Sequence, residues 1–212
     1  MPTPSGLLCA TRQVKNARHL QATDPRIVPM DEPIDGYASR VSFELLGGLH
    51  LARPEEYAEA GRVTALAYRE FVPDDESREW LAYLDRIANV SDRAARTRIV
   101  VAVEDGRVLG SATLEVDGRT EEDDERPLEP DEAHIRMLGV DPNARGRGVA
   151  KGIMAGCEGL ALEAGRTRMT LNTTNMMQAA QKMYESLGYQ KLPDQTLPSG
   201  FVLMAYQKQL SG

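Results

Sequence analysis

Residues 139–152 read GVDPNARGRGVAKG, between an apolar run with strand character and a run with helical spacing. A helix start needs only one Ser, Thr, Asp or Asn to cap it. Here the chain spends a proline, two arginines and several glycines instead. The first N–H groups of a helix lack intrahelical partners and carry the positive end of its dipole. Glycines at that point strip away side chains, so an anion can reach the N–H groups directly. The stretch is therefore expected to cradle a phosphate. It is not a Walker loop, because no Gly-Lys-Ser/Thr follows, and it does not open a Rossmann unit with G-x-G-x-x-G.

The rest of the chain supplies the frame. Residues 41–53 suggest a hairpin around Gly47-Gly48, with Val41, Phe43 and Leu45 alternating, then Leu49 and Leu51. Pro54 and the glutamates after it suit a helix first turn, and Tyr57, Ala60, Val63, Ala67 and Phe71 recur at helical spacing. A second helix places Trp80, Leu81, Leu84, Ile87 and Ala88 on one face. RIVVAVEDGRVLGSATLEV then predicts two strands joined at Asp105-Gly106. AHIRMLGV is a strand, residues 149–164 a glycine-rich helix stopped by Gly165, and RMTLNTT a strand. A helix over about 175–187 is expected to turn Met176, Met177, Ala180, Met183, Tyr184 and Leu187 inward. GYQKL and FVLMAYQKQ close the chain as a hairpin. The predicted fold class is α/β, a mixed and mostly antiparallel sheet with helices on both faces. Residues 1–40 form an N-terminal extension without sustained periodicity, and residues 41–212 the domain.

Arg145, Gly146, Arg147, Gly148, Val149 and Ala150 fit the Arg/Gln-x-x-Gly-x-Gly/Ala loop of the GNAT superfamily of N-acetyltransferases, and IRMLGVDP resembles that family's fourth strand. The resemblance covers about residues 49–208. Its specific part is residues 133–189, ending in AAQKMYESLGY. It implies a GNAT-like acyl-CoA N-acyltransferase fold and acetyl-CoA as acyl donor, with direct transfer to an amine and no covalent enzyme intermediate. It also implies that residues 145–150 bind the CoA pyrophosphate, and that Leu138 and Val140 offer backbone groups to the pantetheine arm. Tyr184 falls where many members have a tyrosine that hydrogen-bonds or protonates the departing thiolate. The family often has Asn seven residues earlier, where this chain has Met177; Asn175 is read as a helix cap first and a CoA contact second. Glu132 and His134, at the start of the fourth strand, are the candidates for general base. Gly152, Gly156 and Gly159 suggest close approach of helix and sheet.

Composition narrows the partners. A net charge of -7 and 5% aromatics argue against nucleic acid as partner. Residues 54–90 hold nine acidic and four basic side chains, and residues 117–132 nine and two. Such a rim concentrates cations, which favours a small cationic amine as acceptor; a protein N-terminus or lysine, and a non-catalytic acyl-CoA-binding module, are the alternatives. The histidines His19, His50 and His134 lack ligand spacing, so no metal is expected. No signal peptide or membrane span is read, and Cys9 and Cys157 are expected as reduced thiols, which together suggest a cytoplasmic protein. A homodimer is admitted, with no sequence feature that selects it.

Overall fold

The computed structural model describes residues 48–72, 78–117, 127–196 and 202–211. Its strands are β1 (Leu49–Leu51), β2 (Arg98–Glu104), β3 (Arg107–Glu115), β4 (Glu132–Val140), β5 (Arg168–Thr173), β6 (Gln190–Lys191), β7 (Gln195–Thr196) and β8 (Val202–Gln209). Its helices are α1 (Tyr57–Arg69), α2 (Arg78–Ala88), α3 (Val90–Ala94), α4 (Val149–Glu163) and α5 (Gln178–Ser186). The sheet runs β1-β2-β3-β4-β5-β8-β6, with β7 beside β8. Only the β4–β5 pairing is parallel; the others are antiparallel. The expected mixed sheet with helices on both faces is therefore present. The first strand of the expected 41–53 hairpin, the 1–40 extension with Cys9, and most of the acidic loop lie outside the described residues.

Two apolar layers sandwich the sheet. Val100, Ala112, Leu114, Ile135 and Leu171 face α4 and α5 in the larger core, while Ile99, Val101 and Val108 face α1 and α3. Alternation along each strand produces this split. The helices come close because glycines let them. A Cβ on Gly156 of α4 would stand 2.1 Å from Leu49 Cδ2, and one on Gly61 of α1 would stand 1.9 Å from the Ala88 carbonyl oxygen. Cys157, mid-helix in α4, is a buried free thiol.

Several local expectations are corrected. Leu81 is 38% exposed and Met176 44% exposed, so neither belongs to the core. The short helix α3, capped by the Asn89 side chain, was not foreseen. Helix α5 starts at Gln178 with Met177 as N-cap, because Thr174 O accepts from Met177 N and closes a turn first. Asn175 consequently caps nothing.

Candidate acyl-transfer site

The site originates in a break of sheet pairing. Strands β4 and β5 pair from Glu132↔Arg168 to Ile135↔Leu171 and no further, although both continue. On its other side β4 pairs with β3 as Thr113↔Arg136, then Ser111↔Gly139, so Met137 and Leu138 oppose the single residue Ala112. Met137 takes φ 52, a conformation unusual for a non-glycine residue. That is a β-bulge, which bends a strand and takes backbone groups out of the ladder. Gly139 follows it because a Cβ there would stand 3.0 Å from Thr64 Cα in α1. Thr64 is fixed in turn by a 2.7 Å hydrogen bond to Ser111 of β3.

A cavity of about 460 Å³ opens at the gap. Leu138 and Val140 line it from β4, Tyr184 from α5, and Arg145 and Ala150 from the glycine-rich loop. It thus brings together five of the residues singled out in the sequence. In the loop, Gly146 has φ 75 and Gly148 has φ 84, with open space where a Cβ would stand. Gly148 is also the N-cap of α4. Val149 turns its side chain into the core at 2% exposure, so it offers its backbone alone. Positive-φ glycines, open space above them and the N–H groups of the first turn of α4 suit a pyrophosphate. Both loop arginines are held by carboxylates. Arg145 makes a bidentate pair with Glu70 at 2.8 and 2.9 Å, and Arg147 pairs with Glu104 at 2.5 Å.

Tyr184 is 6% exposed, in tilted contact with the rings of Tyr189 and Tyr206. Burial first, and then Tyr206, push its phenol well above the ordinary tyrosine range. It therefore keeps its proton and can donate it. Glu132 and His134 are buried on the opposite face of β4 and do not line the cavity. Thr170 of β5 joins them: its hydroxyl donates to Glu132 Oε1 at 2.7 Å and stands 2.7 Å from His134 Nδ1. A hydroxyl has one proton. With that proton spent on Glu132, Nδ1 must be the donor toward Thr170, which leaves the lone pair of neutral His134 on Nε2. Asn175 is exposed and lies off the cavity wall.

Sequence reasoning did not single out Tyr68, Arg136 and Asn172, which line the cavity from α1, β4 and β5. Burial, followed by Tyr83 and Tyr184, drives the Tyr68 phenol far above its ordinary range, with Arg136 and Arg93 opposing. Several of the described acidic side chains noted in the sequence pair with cations of the chain itself. Glu56 bonds His50 at 2.9 Å, Glu59 pairs with Arg62 at 2.7 Å, and Arg98 pairs with Asp117 at 3.0 Å. Among the described residues no cluster of His, Cys, Asp or Glu could hold a metal ion, and no helix is long and apolar enough to cross a membrane.

Known proteins share this fold. A family model described as the acetyltransferase (GNAT) family matches residues 60–189. An N-acetylaspartate synthetase of Danio rerio is 34% identical over 101 residues, 46% of this chain and 32% of that protein. The match thus spans about a third of the relative's length. Among solved structures, a GNAT-family acetyltransferase of Staphylococcus aureus superposes with a TM-score of 0.58 at 15% identity, over 77% of this chain and 99% of that one. A Salmonella typhimurium protein solved with its cofactor acetyl-CoA gives a TM-score of 0.56 at 17% identity, over 77% and 93%.

Proposed function

The chain belongs to the acetyltransferase (GNAT) family, and on that premise we propose that it transfers an acetyl group from acetyl-CoA to a primary amine by direct attack in a ternary complex. One observation carries the proposal: the β4–β5 ladder stops at Ile135↔Leu171 beside a cavity that reaches from Tyr184 to Arg145 and Ala150. A thioester delivered along β4 from a diphosphate held at the loop would arrive beside that phenol.

The residues divide the work. Residues 145–150 hold the pyrophosphate through backbone N–H groups, with Arg145 and Arg147 adding charge. Leu138 and Val140 orient the pantetheine arm along β4. Acetyl-CoA supplies an activated acyl carbon: the C–N bond to the acceptor forms, the C–S bond breaks, and the electron pair leaves on sulfur. Tyr184 donates a hydrogen bond to that sulfur and passes its proton to it only as the proton lost by the acetylated nitrogen replaces it, since a thiol with a free pKa of about 8.5 is a stronger acid than the phenol. The amine must be neutral to attack, and one with a pKa near 10 is depleted roughly a thousandfold at pH 7. His134 and Glu132, coupled through Thr170, are the groups we assign to drawing off its proton, by way of solvent. The products are the acetamide and the free thiol, with one proton released to water.

The acceptor is a small primary amine. With Glu56, Glu59 and Glu70 engaged by internal cations, nothing about the described rim demands a polycation. The test is calorimetric titration with acetyl-CoA on the wild-type protein and on Gly148→Glu, followed by thiol release with a panel of amines. Micromolar binding lost in the variant, and thiol release that needs an amine, are expected. Failure of the wild-type protein to bind acetyl-CoA would sink the proposal. Binding without thiol release from any amine would leave a CoA-binding module instead.

A further inference from the structure

Two neutral hydrogen-bonding side chains flank the point where the β4–β5 ladder opens. Tyr68 comes from α1 and packs on the cluster formed by Leu84, Ile87 and Met137, which includes the kink residue of β4. Asn172 comes from β5, directly after Leu171 on the last rung. Strand alternation turns it to the α1 face, away from the core that holds Leu171. Both line the cavity, and Tyr184 lines it from α5.

Neither the Tyr68 hydroxyl nor the Asn172 carboxamide has a hydrogen-bond partner among the described residues. A polar group kept in a cavity wall without a partner costs stability until a ligand supplies one. The charged side chains of the same face carry both signs, and Arg93, Glu115, Glu132 and Arg136 are each already engaged. What is left unpaired at the gap is neutral. The Tyr68 phenol is a donor at neutral pH, because burial first, and then Tyr83 and Tyr184, hold it far above its ordinary range against the pull of Arg136 and Arg93.

Neutral donors suit a charge that exists only for a moment. When the amine nitrogen bonds to the thioester carbon, the π pair of the carbonyl moves onto oxygen. When the C–S bond breaks, that pair returns and the sulfur leaves with its own. Tyr184 meets the sulfur, and the carbonyl oxygen is two bonds away from it. A donor on the other side of the same gap, close enough to Tyr184 to feel it electrostatically, is placed for that oxygen. Donors fixed before the charge appears lower the barrier, since nothing has to reorganise when it does.

We propose that Tyr68 is a catalytic residue: its hydroxyl, together with the Asn172 amide, hydrogen-bonds the carbonyl oxygen of the acetyl group and stabilises the oxyanion of the tetrahedral intermediate. This rests on the transfer assigned above and deepens it. The gap then holds one phenol for the departing sulfur and another for the oxygen.

The test is Tyr68→Phe in the full chain, which removes the hydroxyl and keeps the ring beside Met137 and Tyr83. In thiol release, kcat is expected to fall about a hundredfold, the usual loss of one such donor. The factor should be the same for butylamine, benzylamine and lysine, because the acetyl oxygen is common to all three reactions. KM for the amine, acetyl-CoA affinity and melting temperature should not change. Asn172→Ala should lower kcat in the same amine-independent way. Infrared difference spectra of bound, carbonyl-labelled acetyl-CoA read the contact without turnover. The carbonyl band is expected at lower frequency in the wild-type protein and in Tyr184→Phe than in Tyr68→Phe. A band that Tyr68→Phe leaves unmoved, or a loss confined to KM for particular amines, would overturn the proposal while acetyl transfer itself stands. Thiol release from no amine, whatever the band does, would remove the transfer reading and this role with it.

Discussion

Ile135 on β4 and Leu171 on β5 form the last rung of the parallel ladder, and Tyr184 stands over the gap that opens beyond them. Everything assigned to the site depends on where that rung lies. One side of the gap is lined by α5 and the other by α1, so two ligands can approach one point from opposite faces of a sheet.

Replacing Tyr184 by Phe removes the donor while keeping the ring contacts with Tyr189 and Tyr206. We expect kcat to fall about a hundredfold, within the range for loss of a positioned acid, with acetyl-CoA affinity and melting temperature unchanged. Steady-state thiol release together with calorimetry checks this. An unaltered kcat would reduce Tyr184 to packing.

Glu70 holds Arg145 in a bidentate pair from the end of α1. Phosphate must compete with that carboxylate for the guanidinium. Glu70→Gln is expected to tighten acetyl-CoA binding by about two- to fivefold at low salt, and less at high salt, since both partners are solvent-screened. Titrations at two ionic strengths decide it; weaker binding in the variant would mean that Glu70 positions Arg145 instead of competing for it.

Gly61→Ala inserts a better helix former into α1, worth about 1 kcal/mol. Its Cβ would lie 1.9 Å from a backbone oxygen of α2, however, and overpacking against backbone costs about 3 kcal/mol. The net expectation is a loss of about 2 kcal/mol in urea unfolding. A neutral or stabilised variant would show that the two helices part easily.

Burial raises the Cys157 thiol far above its ordinary range, with Glu158 adding to the effect. Below the unfolded-state value of about 8.5, both states keep the proton. Above it only the unfolded chain releases one, so stability is lost as pH rises, by up to about 1.4 kcal/mol per pH unit. Urea midpoints between pH 8 and 10 should fall less steeply for Cys157→Ala than for the wild-type protein. Parallel slopes would contradict a thiol buried in the neutral state.

Much of the frame was legible because it is local. Asp105 and Gly106 both take positive φ in the β2–β3 turn, as the dipeptide demands, and Gly148 caps α4 where the glycine-rich loop ends. The bulge was not legible: AHIRMLGV has no glycine or proline at Met137, and its left-handed residue is imposed by the packing of α1 on Gly139. Arg136 was missed for the same reason, since a lone arginine in a strand reads as solvent-facing until a helix is laid over it. Asn175 failed differently. The turn closed by Thr174 uses up the residues that a cap at Asn175 would have needed. His134 and Glu132 were named individually, but their link through Thr170 depends on parallel register between strands 36 residues apart, which no local pattern encodes.

The bulge in β4 also has a genetic meaning. Ile135 and Leu138 both face α4 although they are three residues apart, an odd spacing that an unbroken strand would not permit. Loss of the single codon for Met137 would restore the even spacing and align Ala112 with one partner, while removing a buried side chain that packs with Leu84 and Ile87 of α2. Such a protein would lose the kink beside Tyr184. A one-residue deletion would thus silence the site with Tyr184 and the glycine-rich loop still in place, a change that a search for altered catalytic residues would pass over.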